Sequence, residues 1–265
     1  MDKILENKWQ RLLSLLSSYP SAIVAYSGGV DSGLLAYAVH LTLEKRMLAV
    51  TVESGLDAPE QITLARQFAA QSGIPFRLLS FPALQNEQIV RNSPERCYFC
   101  KIAILTALHK LAAQEGYAVV LEGQNADDLC AYRPGKKAVL ETKTLSPLAE
   151  QQFSKREIRQ IAHHFNLSIG ELPSSPCLAT RIPYGKSITT EALRQIEEGE
   201  SFLKRKGFSM IRVRHYDDTA RIEVAPHELT QFISLREEVL DVFKKLGFRF
   251  VTLDIDGYRC GSMDG

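Results

Sequence analysis

One stretch near the N-terminus narrows the possible folds more than any other: the apolar run Ile23-Val24-Ala25-Tyr26, followed directly by Ser27-Gly28-Gly29-Val30-Asp31-Ser32. A short apolar segment that passes through a Ser/Gly loop into a helix is the start of a strand–loop–helix unit in a layered α/β protein. Such a loop is suited to phosphate. Backbone N–H groups opened by Gly28 and Gly29 converge on an anion at the N-terminus of the following helix, where unpaired amides and the helix dipole both favour negative charge. Ser27 and Ser32 add hydroxyl donors. Asp31 is the odd member, since a carboxylate repels phosphate unless a cation lies between them, a role that Mg²⁺ bridging to a nucleotide fills. The loop lacks the Gly-Lys-Ser/Thr ending of the common P-loop and the spacing of the dinucleotide fingerprint. A plain tight turn is the bland alternative.

The six residues SGGVDS resemble the SGGxDS signature of the PP-loop ATP pyrophosphatases, whose fold is that of the adenine nucleotide α-hydrolase-like proteins. The resemblance implies cleavage of ATP between its α and β phosphates, adenylation of a substrate oxygen, and AMP and pyrophosphate as products, with ATP and Mg²⁺ bound.

The chain has 265 residues, enough for a principal domain with a smaller appendage. Apolar residues make up 45% and charged residues 24%, an ordinary balance for a soluble globular protein. The formal charge of +1 argues against a nucleic-acid backbone as the main partner. The first twenty residues mix Asp2, Lys3, Glu6, Lys8 and Arg11 with Trp9, Leu12, Leu13 and Leu16, which reads as an amphipathic helix rather than a signal peptide. Without an apolar run long enough to span a bilayer, a cytoplasmic protein with no membrane partner is expected.

Periodicity predicts strands at 22–26, 47–53, 76–81 and 118–122, separated by helices at 33–44, 59–73 and 98–115. This alternation predicts a doubly wound parallel α/β sheet over 1–186. Ligands collect at the carboxyl ends of such strands, which singles out SGGVDS, Ser54 after the second strand, and Gly123-Gln124-Asn125-Ala126-Asp127-Asp128 after the fourth. Gly123 gives a nucleotide room to approach the backbone. Asp127 or Asp128 either helps to hold a metal or ribose, or caps the next helix. Arg133, in a basic turn, is a candidate to neutralise pyrophosphate.

Beyond 187 the pattern changes to helix 189–206, strands 211–216 and 221–224, helix 227–246 and strand 250–255, which predicts a small C-terminal α+β domain over 187–265. Arg212 and Arg214 share one strand face, as do Arg221 and Glu223. Paired arginines suit a phosphate or carboxylate, and equally a solvated hairpin with cross-strand ion pairs. Glu200 falls on the apolar stripe of Leu193, Ile196 and Leu203. A carboxylate there needs a metal or an arginine such as Arg212 or Arg214, unless the stripe frays at Gly199 into water.

Five cysteines are present: Cys97, Cys100, Cys130, Cys177 and Cys260. An odd count without a signal peptide argues against a disulfide framework. Cys97-Tyr98-Phe99-Cys100 is a CxxC at a predicted helix start, a spacing shared by redox pairs, half zinc sites and parts of iron–sulfur sites. Cys177 lies in a segment with Arg181, which is placed to stabilise a thiolate; Cys130 and Cys260 read as small buried apolar residues.

SGGVDS at 27–32, GQNADD at 123–128, YRPG at 132–135, SSPCLATRIPYG at 174–185, IRVRHYDDTARIEV at 211–224 and the tail DIDGYRCGSMD together resemble the LarE family over nearly the whole chain. These are ATP-dependent sulfur transferases of nickel-pincer nucleotide biosynthesis, which yields the lactate racemase cofactor. The resemblance implies adenylation of a carboxylate of pyridinium-3,5-biscarboxylic acid mononucleotide, pyrophosphate release and formation of a thiocarboxylate, in two cycles. One branch of the family sacrifices the sulfur of a single cysteine at the position of Cys177. The other adds a CxxC and holds a [4Fe–4S] cluster on three cysteines, and Cys97, Cys100 and Cys177 put this chain with that branch. Zinc and a CxxC redox pair passing a persulfide to Cys177 are the rival uses of these thiols. The resemblance further implies that Ser27, Gly28, Gly29, Asp31 and Ser32 bind the ATP phosphates, with Gly123 near the adenosine. It also implies that Arg212 and Arg214 hold the substrate phosphate, and that Glu200 and Glu223 match acidic positions of a metal site. Gln231 stands where an acidic residue might complete that site. A sulfur donor and a homo-oligomer are implied as partners. Rival functions are a PP-loop tRNA thiolase, an amide-forming synthetase and a non-catalytic nucleotide sensor.

Overall fold

Helix α1 (Lys3–Ser17) starts where the Asp2 side chain accepts the Leu5 N–H, and buries the stripe Leu5, Trp9, Leu12 and Leu16. Strand β1 (Ala22–Ala25) follows, then α2 (Val30–Leu43), β2 (Met47–Glu53), α3 (Pro59–Gln71), β3 (Phe76–Ser80), the short α4 (Glu87–Val90), α5 (Arg96–Glu115) and β4 (Val119–Glu122). Four further helices complete this region: α6 (Ala126–Cys130), α7 (Gly135–Glu141), α8 (Pro147–Glu150) and α9 (Lys155–His164). These elements come from a computed structural model that describes residues 1–130, 135–172 and 175–259, with the side chains of 129 and 130 outside the description.

The four strands pair in parallel in the order β3-β2-β1-β4. The chain winds outward from β1 through β2 to β3 and then returns to the other side of β1 with β4, so the order reverses between β1 and β4. That reversal opens a crevice at the carboxyl ends of these two strands, as in doubly wound sheets. Ala22, Ile23 and Val24 of β1 are fully buried, which is why the strand reads as an unbroken apolar run.

Two helices begin earlier than their hydrophobic periodicity predicts. Helix α2 starts at Val30, with Gly29 as an extended N-cap, so Asp31 and Ser32 belong to its first turn instead of a preceding loop. Helix α5 starts at Arg96, which sets Cys97 and Cys100 within its first turn and a half. Periodicity places such starts late, because the first turns mix polar residues with a few apolar ones and so set no repeat, and element ends are uncertain by about one or two residues.

The chain parts into two compact units, Met1–Pro82 with Glu95–Ser175, and Ala83–Pro94 with Pro176–Gly265. The sequence pattern places the change near 187; the structure groups 176–186 and the excursion 83–94 with the second unit. Asn92, fully buried, explains the excursion: its Nδ2 donates to the carbonyls of Ile182 and Pro183, and its own carbonyl accepts the Gly185 N–H.

The second unit contains α10 (Thr190–Arg205), β5 (Ile211–Tyr216), β6 (Thr219–Val224), α11 (Leu229–Ser234), α12 (Arg236–Lys245) and β7 (Phe250–Leu253). Strands β5 and β6 form an antiparallel hairpin and β7 joins β6 in parallel, over a core that includes Leu203, Val213, Ile222, Phe243 and Phe248. The single helix expected over 227–246 is instead a 3₁₀ turn, Pro226–Glu228, and two short helices. No helix among the described residues is long and apolar enough to cross a membrane.

Helix α9 opens with a reciprocal capping box between Ser154 and Glu157, and Glu157 also accepts Lys8 Nζ at 2.7 Å, joining α1 to α9. Burial alone would raise the Glu157 carboxyl, but the bonds from Lys8 and Ser154 outweigh it and hold the group below its usual range. The resulting stabilisation is complete above the unfolded-state value of about 4.3 and is lost as pH falls through the lower folded value. Glu157→Gln is therefore expected to lower stability at neutral pH and to flatten its decline below about pH 4, measured by urea denaturation across pH.

Candidate functional site at the switch point

Ser27 to Ser32 form a cradle whose hydroxyls lock each other. The Ser27 N–H donates to Ser32 Oγ at 3.2 Å, the two hydroxyl oxygens lie 3.0 Å apart, and Ser32 Oγ donates to the Gly29 carbonyl at 3.3 Å. Gly28 has φ +83°, a left-handed conformation that a side chain disfavours, and a Cβ there would lie only 3.2 Å from Ala65 Cβ and the Gln61 carbonyl. With Gly29 capping α2, the helix's free amides face the loop where an anion is favoured.

Gly123, one residue beyond β4, is needed for a different reason. A Cβ on it would lie 2.7 Å from both Ser32 N and Cα, so the backbone after β4 rests directly on the cradle. The expected role beside the adenosine is thus joined by a packing role against the phosphate loop itself. Ser54 is 4% exposed, and its hydroxyl donates to Asp57 Oδ2 and accepts the Leu56 N–H, closing the turn after β2. Burial pushes the Asp57 carboxyl up, against the hydrogen bond from Ser54 that lowers it.

Asp31 meets a cation that the sequence reading did not identify. Lys155 Nζ lies 2.6 Å from Asp31 Oδ2, while Asp31 Oδ1 is buried with no hydrogen-bond partner. The Lys155 N–H donates to Asp127 Oδ2 at 2.8 Å, fixing the start of α9 to the loop after β4. Asp128 and Asn125 exchange side-chain-to-backbone hydrogen bonds at the start of α6, the helix-capping alternative. Arg133 lies outside the described residues, as do Cys260 and the side chain of Cys130.

The CxxC helix is tied to the same end of the sheet. Cys97 and Cys100, neither in a disulfide, are three residues apart and so lie on one face of α5. The Arg96 guanidinium, 3% exposed, donates to Cys97 Sγ at 3.6 Å. Lys101 donates to Glu122 Oε2 at 2.9 Å, and Glu122 Oε1 also accepts from the Gln124 N–H and the Ser146 hydroxyl. Glu122 is the last residue of β4, next to Gly123, so a single ion pair links the thiol-bearing helix to the switch point.

Cys177, also outside any disulfide, belongs to the second unit, where it caps the 3₁₀ turn Leu178–Arg181. Arg181 is 3% exposed, and its Nη1 donates to the carbonyls of Pro176 and Cys177. It therefore holds the backbone of the cysteine segment in place. Its Nε and Nη2 are taken by Glu200 at 2.9 Å each. Among the described residues, no three His, Cys, Asp or Glu side chains are gathered so as to hold a metal ion.

The pairing of Glu200 resolves the stripe on α10 in favour of an arginine, but the arginine is Arg181 and not Arg212 or Arg214. Glu200 Oε1 further accepts the Val213 N–H of β5, whose open edge would otherwise leave that amide unpaired. Glu223, fully buried, is gripped by Arg214 through Nε and Nη2 and by Arg221. Guanidinium donors thus meet all four oxygens of Glu200 and Glu223, the two positions expected to hold a metal. Gln231 donates to the Lys206 carbonyl, away from these carboxylates' bonds.

The expected pair Arg212 and Arg214 differ in their contacts. Arg214 is 5% exposed and binds Glu223 and the Thr180 carbonyl. Arg212 stacks on Tyr258, with its carbon 5.0 Å from the ring centre, and donates to the Ile211 carbonyl and the Tyr258 hydroxyl. Burial, and then the neighbouring Arg181, pull Arg212 below its ordinary value. Arg212 has no carboxylate partner among the described residues, which leaves it as the cation of this group suited to an external anion.

No protein-family profile matches the chain. It is 38% identical over 263 residues to an uncharacterized protein of Synechocystis sp., covering 98% of each chain. It is 33% identical over 261 residues to pyridinium-3,5-bisthiocarboxylic acid mononucleotide synthase of Lactiplantibacillus plantarum, covering 98% of this chain and 95% of that one. The chain belongs to the LarE family. A more distant relative is a tRNA-specific 2-thiouridylase of Clostridioides difficile, 25% identical over 70% of this chain and 62% of its own.

Within this LarE-family chain the sequence reading missed Arg96, Lys101, Glu122 and Lys155. For Lys155 a signal existed. It is the first residue of a helix, where the dipole disfavours positive charge, so a lysine there asks for a nearby anion.

Two substitutions test the geometry. Gly123→Ala is expected to cost about 1–3 kcal/mol, because the contacted atoms are backbone and cannot step aside. Glu200→Ala is expected to cost about 3–5 kcal/mol by leaving Arg181 buried and unpaired, whereas Arg181→Met with Glu200→Leu recovers most of that loss. Denaturant midpoints measure both.

Proposed function

We propose that the chain is an ATP-dependent sulfur transferase that converts a carboxylate of pyridinium-3,5-biscarboxylic acid mononucleotide to a thiocarboxylate in nickel-pincer nucleotide biosynthesis. The observation that carries the proposal is the Lys101–Glu122 ion pair, which ties the helix bearing Cys97 and Cys100 to the residue next to Gly123 and the Ser27–Ser32 cradle. ATP activation and sulfur chemistry are thereby served by one end of one sheet. The near full-length match to the synthase named above supports the substrate class.

The chain's own residues have separate tasks. Ser27, Gly28, Gly29 and Ser32 hold the phosphates through backbone amides and hydroxyls. Asp31, with one oxygen lacking a hydrogen-bond partner, would hold Mg²⁺, which would neutralise charge beside the nucleotide phosphates. Attack of a substrate carboxylate oxygen on the α phosphorus breaks the α–β bridge, giving an acyl-adenylate and pyrophosphate. Sulfur then replaces AMP at the acyl carbon. Arg212 binds the phosphate of the substrate mononucleotide. Arg181 holds the segment of Cys177 through its backbone.

The thiols of Cys97, Cys100 and Cys177 match the donor chemistry of an iron–sulfur site. A [4Fe–4S] cluster on these three cysteines supplies, when bound, a sulfide sulfur for the acyl group, whereas a structural zinc has none to offer. The small α+β domain carries the anion site of Arg212. A cytoplasmic homo-oligomer with a separate sulfur donor completes the proposal.

Anaerobic incubation of the reconstituted protein with Mg·ATP and the biscarboxylate mononucleotide is expected to release AMP and pyrophosphate and to yield a thiocarboxylate detectable by mass spectrometry. Cys177→Ala is expected to keep pyrophosphate release and lose thiocarboxylate. Pyrophosphate release only with tRNA would move the chain to the thiouridylases. An active protein free of iron and labile sulfide would remove the cluster from the proposal.

A further inference from the structure

Three observations on Lys155 converge. Its ammonium lies 2.6 Å from Asp31 Oδ2, inside the first turn of the phosphate-binding helix α2. The second oxygen of Asp31 is buried and lacks a hydrogen-bond partner, so this carboxylate is only half satisfied. Lys155 also sits at the first position of α9, held there by its N–H bond to Asp127, while its side chain is 38% exposed and open to solvent. The backbone anchor is thus independent of where the ammonium points. A positive charge at a helix N-terminus is opposed by the dipole, and Asp31 offsets that cost in the nucleotide-free chain.

We infer that Lys155 is the polyphosphate-binding cation of this site, held on Asp31 until Mg·ATP arrives and then transferred to the ATP phosphates. The inference rests on the ATP-using function proposed above. Magnesium and an ammonium cannot share Asp31 without like-charge repulsion. When the metal takes the carboxylate, the nearest anions for the released lysine are the phosphates in the Ser27–Ser32 cradle. Lysine is suited to this exchange because its ammonium is a compact charge on a flexible stem. The exchange keeps Asp31 neutralised in both states, so the cradle never presents a bare carboxylate to the incoming phosphates.

Isothermal titration calorimetry of the full chain with AMP, Mg·ATP and inorganic pyrophosphate, with and without Mg²⁺, tests this. Lys155→Met is expected to weaken Mg·ATP and Mg·pyrophosphate binding at least tenfold, about 1.4 kcal/mol, and to leave AMP binding unchanged. Lys155→Arg is expected to keep most of the affinity. Asp31→Asn is expected to bind metal-free pyrophosphate several-fold more tightly than the parent chain, because the lysine is no longer held. Unchanged pyrophosphate binding in Lys155→Met, or equal losses for AMP and pyrophosphate, would overturn the inference while leaving the ATP-using function standing. Asp31→Asn binding metal-free pyrophosphate no more tightly would overturn the exchange. A parent chain that binds neither nucleotide nor pyrophosphate would overturn both the inference and the function beneath it.

Discussion

The contact between Gly123 and the backbone of Ser32 is the constraint on which the site depends. Two loops from neighbouring parallel strands meet there without a side chain between them, because any Cβ on Gly123 would lie 2.7 Å from Ser32 N and Cα. The strand order places β4 beside β1 and so forces the loops together, and the missing side chain lets them touch. From that junction the cradle leads to Asp31 and Lys155, the loop after β4 leads through Asp127 to α9, and Glu122 leads through Lys101 to the cysteine helix.

The second unit is organised by charge. Two carboxylates, Glu200 and Glu223, are almost wholly buried, which is tolerable only because each is met by a guanidinium in bidentate geometry. These pairs engage Arg181 and Arg214, while Arg212 stacks on Tyr258 and meets no carboxylate among the described residues. A strand face that reads as a pair of equivalent arginines therefore carries two arginines in different surroundings. The buried pairs also place Arg181 so that its remaining nitrogen holds the carbonyl of Cys177.

Much of the fold was legible because parallel strands buried on both faces leave unbroken apolar runs, as at Ile23–Val24 and Val120–Leu121. Helix starts were less legible: α2 and α5 open on polar or mixed residues, and so Asp31, Ser32 and Cys97 lie inside helices that periodicity begins later. The Ser27–Ser32 loop could be read from residues that are contiguous in the chain. The pairing of Lys155 with Asp31 could not, since the two are distant in sequence and only the packing of α9 brings them together. The same holds for Lys101 with Glu122, and for Glu200 with Arg181 in place of the arginines on β5.

By itself, the sequence determined the parallel α/β sheet, the placing of a Ser/Gly loop after its first strand, and the presence of cysteines on the helix before its fourth. These follow from local pattern: apolar periodicity, glycines at one loop, and the types of side chain present. Tertiary structure decided which charges meet. It gave Asp31 to Lys155, Glu200 to Arg181 and Glu223 to Arg214, none of them pairs that the sequence reading names. The physical reason is that a buried charge must be paired, and its partner is chosen by proximity in space, which spacing along the chain does not record.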